Sequence, residues 1–238
     1  MHAPTRTHAL VLLALAASSA LACPPAAQPT AQPTSSGSSA PTPSSATSAL
    51  PTAGPASTGT PRAGPAVALA EPTGDDATRE SVPTSDGDLV HGRSTVLVHA
   101  PLAKVRRVVL RFDDYAEFMP HYTASRVLGK KPDGAREVFM QVAALNGVVK
   151  MGARIVFPSK PADEGGYETY ESRFLGGNVE DFKAIWRMKP VDAERTLLSL
   201  EVFLLPGLPL PTSVINDENL GGAVKGVKAM RARIEAAP

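Results

Sequence analysis

The chain has 238 residues, and its composition divides it into two unlike parts. In residues 23–66, 39 of the 44 positions are Pro, Ser, Thr, Ala or Gly, and such a stretch cannot bury enough apolar surface to offset the entropy of ordering it. The part from position 67 onwards suits one domain of common size, which excludes a multidomain enzyme. It holds 22 basic and 23 acidic residues, so it lacks the basic excess with which nucleic-acid-binding proteins neutralise phosphates.

Residues 1–22 have the pattern of a secretory signal. Arg6 is followed by an apolar run of nine residues, 9–17, and then by small residues that end at Ala22. A charge, an apolar core and a small-residue exit are typical of a signal peptide, and the run is shorter than the roughly 20 apolar residues that span a bilayer. We therefore predict that residues 1–22 are a signal peptide and that the protein is exported.

The only cysteine, Cys23, follows this segment directly. Residues 20–23, Ala-Leu-Ala-Cys, resemble the lipobox of bacterial lipoproteins, although the lipobox usually begins with Leu and continues with small residues. A lone cysteine in an exported protein also has no disulfide partner. We predict that Cys23 is lipidated and anchors the chain to a membrane of the bacterial cell envelope, in the periplasm or at the cell surface. Ordinary signal-peptidase cleavage, which would give a secreted protein, is the alternative.

Residues 23–85 are predicted to be a disordered linker. Ten prolines fall within 23–66 and favour an extended, partly polyproline-like chain. Charged residues appear between positions 71 and 88, but they come without an apolar face. The linker is interpreted as a spacer, and a proline-rich motif that binds a partner is the alternative.

Residues 86–238 are predicted to form one α+β domain with a strand, two short helices, six strands and a long helix. The first strand is predicted within 89–100, and the apolar spacing of residues 102–112 indicates a helix that begins at Pro101. Asp113 is expected to cap a second short helix. The other strands are predicted at 125–130, 136–145, 148–157, 167–175, 182–189 and 196–204, and the long helix at 212–236. Asn146-Gly147 is the strongest hairpin signal.

Three segments carry a resemblance to a known family. They are Ala100-Pro101-Leu102-Ala103-Lys104-Val105 after the first strand, residues 112–120 (FDDYAEFMP), and residues 205–211 (LPGLPLP) before the long helix. Together they resemble the START-like polyketide cyclase/dehydrase superfamily (SRPBCC), and within it the coenzyme Q-binding branch. The resemblance implies a helix-grip fold, in which a curved antiparallel sheet of about seven strands surrounds a long C-terminal helix and a cavity. Members include lipid carriers, quinone binders and aromatic cyclases.

Alternation along the strands predicts what would line such a cavity. The odd-numbered residues of 149–157 and the even-numbered residues of 182–188 and 198–204 are apolar, whereas the opposite faces carry polar residues such as Lys150, Arg154 and Glu201. Methionine adapts to irregular apolar shapes. The predicted ligand-binding residues are Phe118, Met119, Met140, Met151, Trp186, Met188 and Met230. The alternative is that these side chains simply fill a core.

No catalytic residue, metal site or cofactor is predicted. The folded part contains no Gly-x-Ser-x-Gly, His-Glu-x-x-His or Walker-type phosphate loop. His91 and His99 are expected to be surface or turn histidines, and Arg154 is expected to face outward.

Three functions are compatible with these patterns. The first is a non-catalytic binding or carrier module for a hydrophobic ligand (a lipid, quinone or polyketide-like molecule), either held at a membrane through Cys23 or secreted. The second is a cyclase- or dehydratase-type enzyme that acts on a ligand in the same cavity, and the third is a protein-interaction module. The scarcity of polar residues on the inward faces favours the carrier, because an enzyme would need groups there to guide proton transfer. No nucleic-acid partner is expected.

Overall fold

The computed structural model describes residues 69–70, 72, 74, 76–85, 87–144 and 147–237. The predicted signal peptide, Cys23 and most of the predicted linker lie outside the described residues. The strands are β1 (Glu80–Pro83), β2 (Val90–Val98), β3 (Tyr122–Lys130), β4 (Arg136–Ala144), β5 (Val149–Phe157), β6 (Ala162–Glu164), β7 (Tyr167–Glu171), β8 (Arg173–Gly177), β9 (Val179–Pro190) and β10 (Thr196–Pro206). The helices are α1 (Leu102–Val109), α2 (Tyr115–Phe118) and α3 (Thr212–Ala236), and a 3₁₀ turn at Phe112–Asp114 precedes α2.

The strands form two curved antiparallel sheets. The six-stranded sheet has the order β1-β2-β10-β9-β7-β6, and the four-stranded sheet has the order β3-β4-β5-β8. With the long C-terminal helix, this arrangement confirms the predicted α+β helix-grip fold. About seven strands were expected, but the described residues form ten. Two short strands, β1 and β6, were not predicted, and one predicted strand is divided in two.

The strand β1 corrects the predicted linker boundary. Residues 80–83 fall inside the segment predicted to be disordered, yet they pair with β2, with Glu80 opposite Arg93 and Val82 opposite His91. Pairing extends upstream, because the Thr78 backbone N–H donates to the Thr95 carbonyl at 3.0 Å. An edge strand needs only one half-buried row of side chains, so its weak apolar signal is lost among the neighbouring charges. The folded domain therefore begins near residue 77 and not at residue 86.

The predicted strand 167–175 changes partner at Ser172. Upstream of this residue β7 pairs with β9 in the large sheet, and downstream β8 pairs with β5 in the small sheet. Ser172 marks the crossing: its backbone N–H donates to the Ala184 carbonyl, and its hydroxyl accepts from the Ala184 N–H, both at 2.8 Å. Alternation could not reveal the change because both halves are extended.

The region around α2 differs from the prediction in one contact. Asp113 does not cap α2, whose N-cap is Asp114 and has no side-chain capping bond. Instead, the Asp113 carboxylate accepts a hydrogen bond from the Val127 N–H at 2.7 Å. Val127 lies opposite Val138, and the pairing of β3 with β4 becomes irregular directly after it. The Asp113 carboxylate therefore binds β3 at the point where its regular pairing with β4 is interrupted.

The helix α3 lies against the inner face of the large sheet, and its two halves differ in how tightly they are packed. A Cβ atom on Gly92 would lie 2.1 Å from the Asn219 carbonyl oxygen, so only glycine allows β2 and α3 to approach this closely. In the C-terminal half, Val227, Met230 and Ile234 are fully buried. The C-terminal half therefore fills the core, whereas the N-terminal half borders an open space.

Candidate ligand-binding cavity

A cavity of about 430 Å³ lies between the two sheets and the N-terminal half of α3. This volume is within the range of about 300–1,000 Å³ that is usual for small-molecule sites. Its walls are mainly apolar and include Met140, Val142, Met151, Phe182, Ala184, Trp186, Leu200, Val202 and Leu204. The cavity is thus built from the inward rows of β4, β5, β9 and β10.

The register of the strands explains why these side chains converge. Leu200 lies opposite Trp186 in the large sheet, and Val142 lies opposite Met151 in the small sheet. Directly paired residues of antiparallel strands project to the same face, so each pair adds two side chains to one wall. The intervening residues point away, as the alternation predicts: Arg154 is exposed and its Nη2 donates to Glu137 Oε1 at 2.6 Å.

Four of the seven predicted ligand-binding residues line the cavity, namely Met119, Met140, Met151 and Trp186. The other three lie outside its lining. Met188 and Met230 are fully buried in the core, because Met188 lies farther along β9 than Trp186 and Met230 belongs to the packed half of α3. Phe118 is half-buried, and its ring lies 5.4 Å from the guanidinium carbon of Arg233.

Several lining residues were not predicted. Tyr122 lines a wall, and the segment from Pro206 to Asn219 contributes apolar residues and polar groups. The sequence held one signal for Tyr122, which is an aromatic residue placed at the start of a strand just after Pro120. Its position opposite Val142 depends on the β3–β4 register, which local patterns do not specify.

An aromatic cluster closes one side of the cavity. The Tyr115 ring makes edge contacts with the rings of Phe112, Tyr122 and Trp186 at centroid distances of 5.6, 6.1 and 6.4 Å. The Tyr115 hydroxyl donates to the Val109 carbonyl at 2.5 Å. Burial raises the pKa of Tyr115 well above its ordinary value. The hydroxyl therefore stays protonated and fixes the ring against α1.

Tyr122 is less firmly held. Its hydroxyl contacts the Met140 sulfur at 3.8 Å, and a thioether is a weak acceptor. Burial raises the pKa of Tyr122 to about 12. The hydroxyl is therefore a neutral hydrogen-bond donor at any physiological pH.

Exposed lining residues mark the mouth of the cavity. Glu218 and Lys225 lie two turns apart on α3, and Leu208 and Val214 lie in and just after the loop that leads into it. Leu208 and Val214 are 41% and 37% exposed, which is high for large apolar side chains. The mouth therefore combines apolar side chains with one charge of each sign.

The opposite face of the large sheet carries a buried ionic network that does not touch the cavity. Glu201 lies between two lining residues of β10, so its carboxylate projects to the other side, where Arg93 Nη2, Arg187 Nη1 and His91 Nδ1 lie 2.8, 2.9 and 2.7 Å away. Burial alone would raise the pKa of Glu201, but the hydrogen bonds from His91 and Arg93 and the charge of Arg187 outweigh it and lower the pKa to about 2. His91 is thus a partly buried member of this network and not the surface residue that was expected.

The described residues also include His99, directly after β2, and other side chains of the types that can ligate a metal. His99 is exposed and lies 3.3 Å from the Glu235 carboxylate. Across the described residues, no three potential metal-ligating side chains are grouped closely enough to hold an ion. None of the described helices is both long enough and apolar enough to cross a bilayer.

Comparisons with known proteins agree with this architecture. A family model described as "Polyketide cyclase / dehydrase and lipid transport" matches residues 98–217. A STAR-related lipid transfer protein from Xanthomonas axonopodis is 18% identical, with a TM-score of 0.56 over 70% of this chain and 97% of that chain. Human STARD10 is 9% identical, with a TM-score of 0.55 over 66% of this chain and 72% of that chain.

A third solved structure, the human StarD13 lipid transfer and protein localization domain, is 16% identical, with a TM-score of 0.52 over 68% of this chain and 83% of that chain. At these identities the likeness concerns the fold. Comparison of the sequence with curated proteins finds no match. The family match and the apolar cavity support a module that binds a hydrophobic ligand. Because the family model covers half of the chain and the fold agrees, this protein belongs to the polyketide cyclase/dehydrase and lipid transport family of START-like proteins.

Proposed function

We propose that the domain is a non-catalytic carrier that holds a lipid, a quinone or a polyketide-like molecule in the cavity. The observation that carries this proposal is an apolar space of about 430 Å³ beside Trp186, with exposed apolar residues at its mouth. Removing apolar surface from water is worth about 25 cal/mol per Å², so such a lining favours a hydrophobic occupant. The lipid-transfer names of the Xanthomonas protein and of the human StarD13 domain support the same class of ligand.

The two buried polar side chains Tyr115 and Asn219 favour binding over catalysis. Cyclisation or dehydration requires groups that donate and accept protons at the reacting atoms. Tyr115 is committed to the Val109 carbonyl, and the Asn219 amide is committed to the backbones of β2 and β10. These side chains hold the cavity in shape and are not free to move protons. We therefore place the carrier before the cyclase- or dehydratase-type enzyme.

The coenzyme Q-binding branch stays a prediction from the sequence. A long apolar tail would leave the cavity through the mouth near Leu208 and Val214. Native mass spectrometry of the purified protein, after exposure to mixtures of membrane lipids, quinones and polyketides, tests the carrier directly. We expect one class of hydrophobic molecule to remain bound. If no mass is retained from lipid, quinone or polyketide mixtures, the carrier proposal is wrong.

Tethering to a membrane is a separate part of the proposal. It rests on the signal-like residues 1–22 and on the position of Cys23. A lipid anchor at Cys23 would keep the cavity within reach of a membrane of the cell envelope, from which a hydrophobic ligand could be loaded. Labelling cells with a fatty-acid analogue should mark the native protein and not a Cys23→Ala variant. Label retained by the variant, or an unlabelled native protein, would refute the anchor without affecting the cavity.

A further inference from the structure

We propose that the cavity selects a hydrophobic molecule that carries a hydrogen-bond acceptor, such as a ring carbonyl, and that the Tyr122 hydroxyl binds this acceptor. The inference rests on the proposed carrier function and specifies its ligand. The polar side chains of the lining differ in whether they already form hydrogen bonds within the protein, and the inference rests on this difference.

Two buried polar side chains of the lining are engaged. Tyr115 donates to the Val109 carbonyl at 2.5 Å. Asn219 accepts from the Leu204 N–H at 3.0 Å and donates to the Val90 carbonyl at 3.3 Å. The hydrogen bonds of these groups hold α1, α3 and the large sheet together. A ligand could use them only by breaking the fold.

Tyr122 is different, because its hydroxyl donor has no strong acceptor. Within the part of the chain that the structure describes, its hydrogen-bond partner is the Met140 sulfur at 3.8 Å. Tyr122 is partly buried, and a hydroxyl donor that is shielded from water without a good acceptor carries a desolvation cost, which an oxygen atom of a ligand would remove. The raised pKa keeps the group protonated, so it donates and does not repel a carbonyl oxygen.

The position of Tyr122 suits an acceptor on an otherwise apolar molecule. It begins β3 directly opposite Val142, which in turn lies opposite Met151. The turn before it is fixed by His121, which has a φ of 66° and whose carbonyl accepts from the Ala143 N–H at 2.8 Å. The hydroxyl therefore has a defined place at the edge of an apolar wall, which is how small-molecule sites set orientation.

Two matched probes test the inference: 2-hexyl-1,4-naphthoquinone, which has carbonyl acceptors, and 2-hexylnaphthalene, which has none. We expect the native protein to bind the quinone more tightly in calorimetric titrations. Tyr122→Phe should weaken quinone binding about three- to tenfold, the usual value of one hydrogen bond, and should leave the hydrocarbon within about twofold. Tyr167→Phe, which removes a hydroxyl from a tyrosine outside the cavity lining, is the control and should change neither affinity.

The outcomes separate this inference from the carrier function. If the native protein binds both probes equally, or if Tyr122→Phe weakens both equally, the hydroxyl is not a selectivity element, although the carrier stands. If neither probe binds, the inference is wrong, and native mass spectrometry with the lipid, quinone and polyketide mixtures decides separately whether the carrier proposal stands. Equal binding of the two probes by the native protein would refute the inference even if Tyr122→Phe were to fold poorly.

Discussion

The two faces of β9 and β10 differ in their surroundings, although both arise from the same alternating sequence. On the inner face, Trp186, Leu200 and Val202 border empty space. On the outer face, Arg187 and Glu201 are at least 94% buried on a side-chain basis and fully engaged in ion pairs. Apolar residues on an inward face therefore do not guarantee a filled core, and charged residues on an outward face do not guarantee a solvated surface. The inner face has room for a ligand, whereas the outer face has none.

The largest effect on stability is expected from the outer face. Glu201→Gln would remove the most buried counter-charge of Arg93 and Arg187, leaving only the longer contacts to Glu80 at 3.9 Å and to Glu164 at 3.3 Å, and breaking a buried ion pair of this kind costs about 3–5 kcal/mol. The free energy of unfolding in urea should fall by that amount. Glu117→Gln is the matched control, because Glu117 pairs with Arg233 at the surface with 62% of its side chain exposed, and it should change stability by less than about 1 kcal/mol. If both variants lowered the free energy of unfolding by the same small amount, the ionic network would not be a main source of the domain's stability.

The inner face should divide into filled and unfilled positions. Met188→Ala removes a fully buried side chain and should cost about 2–5 kcal/mol. Met151 is only partly buried beside the cavity, so Met151→Ala should cost less than about 1 kcal/mol, because the contacts that it loses are few. Urea denaturation of both variants measures the contrast. Similar losses at the two positions would mean that the cavity is packed as tightly as the core.

The pKa of Glu201 makes the outer face sensitive to acid. Its value of about 2 lies below the ordinary value of 4.5, so its contribution is fully present above about pH 4.5 and is lost as the pH falls towards 2. The shift corresponds to roughly 3 kcal/mol. We expect the stability gap between the native protein and Glu201→Gln to narrow over this range, as followed by urea denaturation at several pH values. A gap that is independent of pH would contradict the assignment.

The smallest expected effects distinguish the two tyrosines of the cavity. Tyr115→Phe leaves the Val109 carbonyl without its donor and should cost about 1–3 kcal/mol. Tyr122→Phe removes only a contact to a thioether and should cost less than about 0.5 kcal/mol. Thermal unfolding of the two variants checks the order. A reversed order would mean that Tyr122, and not Tyr115, holds the aromatic cluster in place.

Alternation along the sequence was sufficient to predict which side of each strand faces inward, and therefore to select Trp186, Met140 and Met151. It could not locate the cavity along the strands, so it also selected Met188, which is fully buried in the core. The apolar face of the long helix likewise did not separate Met230, in the packed half of α3, from the positions that border the cavity. The strand β1 and the partner change at Ser172 depend on contacts between distant segments. The ionic network was missed for a related reason: Arg187 and Glu201 were placed correctly on the outer face, but pairing across three strands is what allows them to be buried.

Titration of the purified protein with a panel of quinones, fatty acids and phospholipids, followed by Trp186 fluorescence and melting temperature, tests the central claim most directly. Trp186 is the only tryptophan in the chain and lines the cavity, so a bound ligand should shift or quench its emission and raise the melting temperature. Met151→Arg should abolish the response while the domain stays folded. An apolar ligand that entered the pocket would remove water from the unpaired charge, which costs several kcal/mol. Unchanged fluorescence and melting temperature across the panel, with no ligand retained after purification, would contradict the account.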